Sequence, residues 1–291
     1  MSPRLAARLA ALLFLAAAPA TAARAGSAEA ALPANTETRL RYSISLAGIP
    51  IARAEMAVTA AAARYASRLT WSTSGLAEVF AGSRGDVAAS GRLAGRRPIP
   101  ATYTLASGDG RKANRVMLAM AGGAVKAAEA VPPMRTGPDT VPLEPRHRVD
   151  VVDPLSATLM PAKGGPADGD DVCRRTLPIF DGWTRYDIRL TPKSSRPAEA
   201  RGITGPIVVC AARWVPVAGH RADSRVTRFM AGNEDLSIAF AHLEKADVWV
   251  PLRLSVRTLV GMADVELDRV VPPGADKAAT DGPTGPAKAE P

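Results

Sequence analysis

Short alternating segments separated by turn residues predict an all-β fold, an antiparallel meander curled into a half-barrel or sandwich with one or two short helices. Three observations carry this. Leu40, Tyr42, Ile44 and Leu46 fall on one face of a strand whose other face holds Arg39, Arg41, Ser43 and Ser45. Turn signals recur between such segments, at Gly48-Ile49-Pro50, Ser107-Gly-Asp-Gly110, Gly122-Gly123 and Asp181-Gly182. Segments with helical periodicity are few.

Taken in order, Glu37 to Leu46, Ile51 to Ala60 and Tyr65 to Ser72 form the opening meander, with Tyr65, Ser67, Leu69 and Trp71 on one face of the third strand. Leu76 to Phe80 reads as a helical turn packed on the sheet. Asp86 to Leu93, Pro100 to Leu105 and Arg115 to Met120 are further strands. The proline-rich stretch from Val131 to Val149 is a loop. In Asp153-Pro-Leu-Ser-Ala-Thr-Leu159 the aspartate is suited to cap a short helix with Pro154 at its first position. Pro161 to Asp171 reads as a surface loop. Thr176 to Phe180, Trp183 to Leu190, Pro206 to Val217, Thr227 to Met230, Leu236 to Leu243, Val248 to Val256 and Val260 to Val270 complete the strands.

The amino end has the three parts of a secretory signal peptide. Arg4 and Arg8 precede the uninterrupted apolar run Leu9 to Ala18, and small residues follow. Cleavage is expected after Ala25, leaving 26–36 as a flexible lead-in. A membrane anchor needs about 20 apolar residues, roughly twice the length of this run, so no transmembrane anchor is expected after cleavage. Residues 37–271 then form one β-rich domain, or two halves joined by the loop 131–150. Residues 272–291 hold five prolines and no large apolar group, and read as a disordered tail.

Of the 37 Lys and Arg residues, Arg4, Arg8 and Arg24 belong to the leader; the rest face 28 Asp and Glu, a net charge of about +6. The charge is dispersed, aromatics are few and no recognition motif accompanies the arginines, so no nucleic-acid partner is expected. In an exported chain, two cysteines read as a pair. Cys173 and Cys210 are too far apart for a Cys-x-x-Cys redox site and lack histidine neighbours for zinc, so a disulfide is expected; two unpaired buried thiols are the alternative.

No motif supplies a catalytic, metal or cofactor site. Gly108-x-Gly110-x-x-Ala113 imitates a dinucleotide fingerprint, but a strand follows it where a helix must hold the pyrophosphate, so it reads as a hairpin. Asp168, Asp170 and Asp171 lack the glycine and distal glutamate of a calcium loop. Ser83 in Ala81-Gly-Ser-Arg-Gly85 lacks the first glycine of a nucleophile elbow. His147, His220 and His242 have no metal-ligand spacing. Trp71, Trp183, Trp214 and Trp249 lie on or beside strands and read as core, with ligand lining the sharper alternative.

Several pieces together resemble the bacterial exported family called domain of unknown function 3108. They are Tyr42-Ser-Ile-Ser-Leu-Ala-Gly-Ile-Pro-Ile-Ala52, Asp153-Pro-Leu-Ser-Ala157, Cys173-Arg-Arg-Thr-Leu-Pro-Ile-Phe-Asp-Gly182, Arg185-Tyr-Asp187, Cys210, Pro216-Val-Ala-Gly-His220, and Val250-Pro-Leu-Arg253 with Gly261. The resemblance spans about 38–271. It implies a β-rich domain in the periplasm of a Gram-negative envelope, with no established activity and no catalytic residue to carry over. The fold is also similar to the open β-barrels of periplasmic lipoprotein carriers, an analogy of fold that does not fix function. The expected role is non-catalytic, with a hydrophobic ligand or envelope component on the concave apolar face of the sheet. The alternatives are a structural or assembly factor binding envelope proteins through strand edges, and a hydrolase of unrecognised type. The ligand-binding residues cannot be read from the sequence.

Overall fold

The structure is a computed structural model that describes residues 37–61, 63–75, 82–109, 113–162, 169–197 and 205–271, with Leu32 and Ile203. The expected leader, most of the lead-in, Leu76 to Phe80 and the expected tail lie outside the described residues.

Among these residues the chain is a single antiparallel sheet. Its strands are Thr38–Leu46 (β1), Ile49–Ala61 (β2), Arg64–Thr73 (β3), Arg84–Ala94 (β4), Arg97–Gly108 (β5), Ala113–Ala121 (β6), Ala124–Val131 (β7), Met160–Pro161 (β8), Thr176–Phe180 (β9), Arg185–Pro197 (β10), Pro206–Ala218 (β11), Leu236–Leu243 (β12), Val248–Thr258 (β13) and Gly261–Val271 (β14). The strand order is β7-β6-β5-β4-β3-β2-β1-β14-β13-β12-β11-β10-β9, with the short β8 on β13. Consecutive strands pair as hairpins in each half, and β1 pairs β14 between the halves. We call the end with the turns at 47–48 and 259–260 the upper end, and the end with the turns at 95–96 and 122–123 the lower end.

Alternation explains β1 to β6. Leu40, Met56, Val58, Tyr65, Val87, Ala89, Tyr103, Val116 and Leu118 are buried in one cluster. The opposite faces carry cross-strand polar pairs, including Arg41 with Glu55, Arg68 with Asp86 and Ser90 with Thr102. In the second half both faces are covered. Ile207, Ala241, Val248 and Val250 join the first cluster, while Val208, Cys210, Phe240 and Trp249 join a second. Burial on two faces is why Pro206 to Val217 reads as a nearly continuous apolar run.

The sheet curls but does not close. The ladder is open between its edge strands, β7 and β9. At the upper end Gly182, in the β9–β10 turn, has φ +99 and sits so close to Val116 of β6 that a Cβ would overlap it. Trp183 Nε1 donates to the carbonyl of Pro132, just after β7, at 2.7 Å. Near the lower end the connector closes the remaining gap: Val151 N donates to Gly123 O, Val152 N to Pro178 O, and Phe180 N to Val152 O.

The connector then enters the sheet. Val151, Asp153, Leu155, Ser156, Leu159 and Met160 are all buried. Leu155 and Leu159 pack into the first cluster, Ala157 and Met160 into the second. Residues 151–160 thus cover part of the apolar face expected from the sequence to hold a hydrophobic ligand or envelope component.

Four local expectations change. Ala124–Val131 is a strand, although its alanines give little hydrophobic contrast; Ala128 and Ala130 pack on the first cluster. Thr227 to Met230 is not a strand. It belongs to helix Arg225–Ala231 (α2 below), capped by Ser224, whose Oγ accepts from Thr227 N at 3.3 Å. The helix expected after Asp153 is one 3-10 turn, Ser156–Thr158. Within the expected surface loop ending at Asp171, Gly169–Val172 forms a helical turn (α1), and the buried Val172 and Cys173 dock it on β11.

Candidate functional site

The structure joins Cys173 and Cys210 in a disulfide that ties the end of α1 to β11, with both cysteines fully buried in the second cluster. Beside it, Arg175 is nearly buried and donates to Arg96 O at 2.5 Å, to Pro161 O at 3.2 Å and to Asp171 Oδ2 at 2.9 Å. Asp171 also pairs with Arg96. Its carboxylate is therefore held by two guanidinium groups. Asp168 lies outside the described residues. Among the described residues no cluster of His, Cys, Asp and Glu is arranged to hold a metal ion.

Gly108 and Ala113 are paired across the β5–β6 hairpin, and Gly110 lies outside the described residues. Ser83 anchors the entry to β4 through its backbone, which bonds Thr73. The histidines stay apart. His147 Nδ1 accepts from Glu144 N, His220 O accepts from Val141 N, and the buried His242 meets Asp247 at 3.0 Å and Trp249 ring to ring at 5.6 Å. Among the tryptophans Trp249 is fully buried, whereas Trp71, Trp183 and Trp214 are half-buried.

A polar chain runs through the core. Asp153 accepts Ser156 N at 2.8 Å and Ser156 Oγ at 2.5 Å. Tyr65 OH lies 2.5 Å from Ser156 Oγ; since the serine proton is given to the carboxylate, the tyrosine is the donor. Burial pushes the Asp153 carboxyl up to about 6, opposed by its hydrogen bonds to Ser156. Burial also raises the Tyr65 and Tyr103 hydroxyls, and the Asp153 charge adds to this. An aspartate, a serine and a tyrosine in series resemble a nucleophile and its activators. Yet Asp153 and Ser156 are 0% exposed and Tyr65 1%. None of the three lines the surface concavities at Trp71, Ser107, Trp183 and Gly95. The sequence marked Asp153 as a cap; the bond between Ser156 and Tyr65, 91 positions apart, had no local signal.

One accessible concavity, of about 390 Å³, lies at the lower end beside Ala63, Gly95 and Lys245, and two larger ones lie at the upper end. The first of these two, of about 640 Å³, is lined by Trp71, Arg84, Gly85, Ser107, Asn114 and Arg115. A second, of about 590 Å³, is lined by Leu105, Pro132, Pro133, Arg135 and Trp183, and shares Ser107 and Asn114 with the first. The shared residues make them two parts of one groove running from Trp71 to the seam at Trp183. A third hollow, of about 580 Å³, adjoins at Trp71 and is lined by residues of β1, β2, β3 and β14, among them Arg41, Arg53, Glu55, Asp268 and Arg269. The groove floor is apolar and its rim cationic: Arg84, Arg115 and Arg135 have no ion pair among the described residues. The alternation of β3 had marked Trp71. Trp183 and the prolines come from turns, which carry no such periodicity.

The Trp71 indole requires its neighbour to be glycine. Trp71 on β3 faces Gly85 on β4, and a Cβ at Gly85 would overlap Cη2 and Cζ2 of the six-membered ring.

Comparison with known proteins relates the chain to a solved structure and to a sequence family. In the crystal structure of a β-barrel-like protein of domain of unknown function DUF1849 from Brucella abortus, 97% of the chain superposes on 81% of this one, with a TM-score of 0.47 and 9% sequence identity. No curated protein matches the sequence. The family model of DUF3108, proteins of unknown function, matches residues 41–268. That span takes in β1 to β14, the buried Asp153-Pro-Leu-Ser segment and both cysteines, and the chain belongs to the DUF3108 family.

Proposed function

We propose that the protein is an exported, periplasmic, non-catalytic binding protein that takes an amphiphile with an apolar body and an anionic end into the upper groove. The observation that carries this reading is the pair of adjoining cavities, about 640 and 590 Å³, between Trp71 and Trp183. Each is within the size range of small-molecule sites, and an apolar floor with few polar groups is their usual lining. Arg84, Arg115 and Arg135 suit a carboxylate or phosphate at the rim. The sealed position of Asp153, Ser156 and Tyr65 favours a structural role for the strongest polar convergence in the fold. The leader pattern of residues 1–25 supports export, and a disulfide is compatible with an oxidising compartment.

Tryptophan fluorescence of the mature protein, titrated with a lysophospholipid or a long-chain fatty acid, tests the proposal. Saturable quenching that falls severalfold in Trp71→Phe and in Arg115→Glu is expected. Mass spectrometry of the purified protein should also find a co-purifying amphiphile. Absence of both signals would remove the reading.

A further inference from the structure

We propose that the upper end docks on an anionic bilayer surface through the tips of two neighbouring hairpins. Three of the exposed large apolar side chains sit there: Ile49 at 62% exposure, Leu259 at 45% and Val260 at 71%. Ile49 starts β2, just after the β1–β2 turn, and Leu259 and Val260 form the β13–β14 turn. Because β1 and β14 are paired, the two tips stand side by side. Ala47 N donates to Met262 O at 2.7 Å, and Leu46 faces Ala263. Val226 of α2 is a fourth exposed apolar group at this end. The turn after α2 is fastened to the base of the same hairpin, since Asn233 Nδ2 donates to Arg257 O at 2.9 Å.

The charges around the tips are biased to one sign. Glu234 pairs with Arg213, Asp235 with Arg257, and Asp264 with Arg253. Arg53, Arg225 and Arg228 are exposed and have no ion pair among the described residues. The neighbourhood therefore presents free positive charge around projecting apolar tips.

That combination fits a bilayer better than a protein partner. A stable protein interface needs on the order of 1,000 Å² of complementary surface, whereas these side chains project singly from narrow turns. A headgroup layer admits such tips without shape complementarity and rewards nearby arginines with its negative potential. The groove between Trp71 and Trp183 opens at the same end, so docking would bring its mouth to the lipid surface. The docking inference does not depend on the groove holding a ligand.

The test is co-sedimentation of the mature protein with vesicles of phosphatidylcholine, alone or mixed with phosphatidylglycerol. Binding to the mixed vesicles is expected, weakening as salt rises. The double variant Ile49→Asp, Val260→Asp should lose at least about tenfold in affinity. Arg53→Ala and Arg228→Ala should each lose about fivefold, on the mixed vesicles only. All four positions are solvent-facing, and an unchanged melting temperature would show that the variants fold. No binding to mixed vesicles would overturn the proposal, as would equal binding to both vesicle types. Full binding by the Ile49, Val260 double variant would do the same, as would capture of an envelope protein by these tips with no affinity for lipid.

Discussion

The six-membered ring of Trp71 occupies the space where a side chain on Gly85 would begin. The two residues face each other across β3 and β4, so the glycine sets the depth of the groove by letting the indole lie down on the sheet. Gly85→Ala should push the ring off its seat and cost about 1–3 kcal/mol, the usual range for overpacking. Most of that cost should vanish in a Trp71→Ala background, because the clash is with the ring. Urea denaturation of the four members of this double-mutant cycle measures it; a penalty unchanged by removing the tryptophan would refute the relationship.

The buried Asp153 predicts an unusual pH response. Its carboxyl is raised from 3.8 to about 6 by burial. Below about pH 3 both folded and unfolded chains hold the proton. Between about 4 and 6 the unfolded chain releases it while the folded chain keeps it, so the carboxyl's contribution declines as pH rises through that window and levels off above it. The displacement corresponds to about 3 kcal/mol. Asp153→Asn should remove this slope, so wild type should lose about that much relative to the variant from about pH 2.5 to about pH 7. A difference independent of pH would show that the carboxyl is not raised.

Ser156 should tune the same equilibrium. Its hydroxyl and its N–H both favour the charged form of Asp153. Ser156→Ala removes the hydroxyl, which should drive the Asp153 titration above 6 and leave Tyr65 OH without its partner. The expected loss is about 1–3 kcal/mol at neutral pH, smaller at about pH 2.5 where the carboxyl is protonated in both states. Tyr65→Phe should cost less, since it leaves the serine-to-carboxylate bond intact. Stability curves at the two pH values distinguish these outcomes.

The disulfide should stabilise the folded chain by about 3–4 kcal/mol on the chain-entropy model, for a separation of 37 residues. The double variant Cys173→Ala, Cys210→Ala should show a loss of that order in denaturant midpoint. Alkylation of the unreduced protein in denaturant should label neither cysteine, and labelling would refute the pairing.

The fold class was legible because half-buried strands alternate, and β1, β3 and β12 to β14 follow their patterns within a few residues. β7 was hidden because alanine offers no contrast between faces. Helix α2 was hidden because its apolar residues Val226, Phe229 and Met230 are close together, and a short run of that kind suits either structure. The groove was half legible. Trp71 belongs to a periodic strand, but Pro132, Arg135 and Trp183 reach the groove through connections whose paths depend on the curl of the whole sheet. The Tyr65 to Asp153 chain depends on where residues 151–160 enter the interior, a placement that local pattern does not encode.

The position of β1 and β14 reverses an ordinary expectation about chain ends. Terminal strands usually lie at an edge and can be trimmed with little harm. Here Arg39 faces Val271, and the pair sits in the middle of the strand order. Truncating the chain before Gly261 would therefore cut the sheet in two between β1 and β13. Conversely, a short peptide joining the two ends, with new termini opened in the exposed stretch 135–139, should give a circular permutant that keeps every ladder intact.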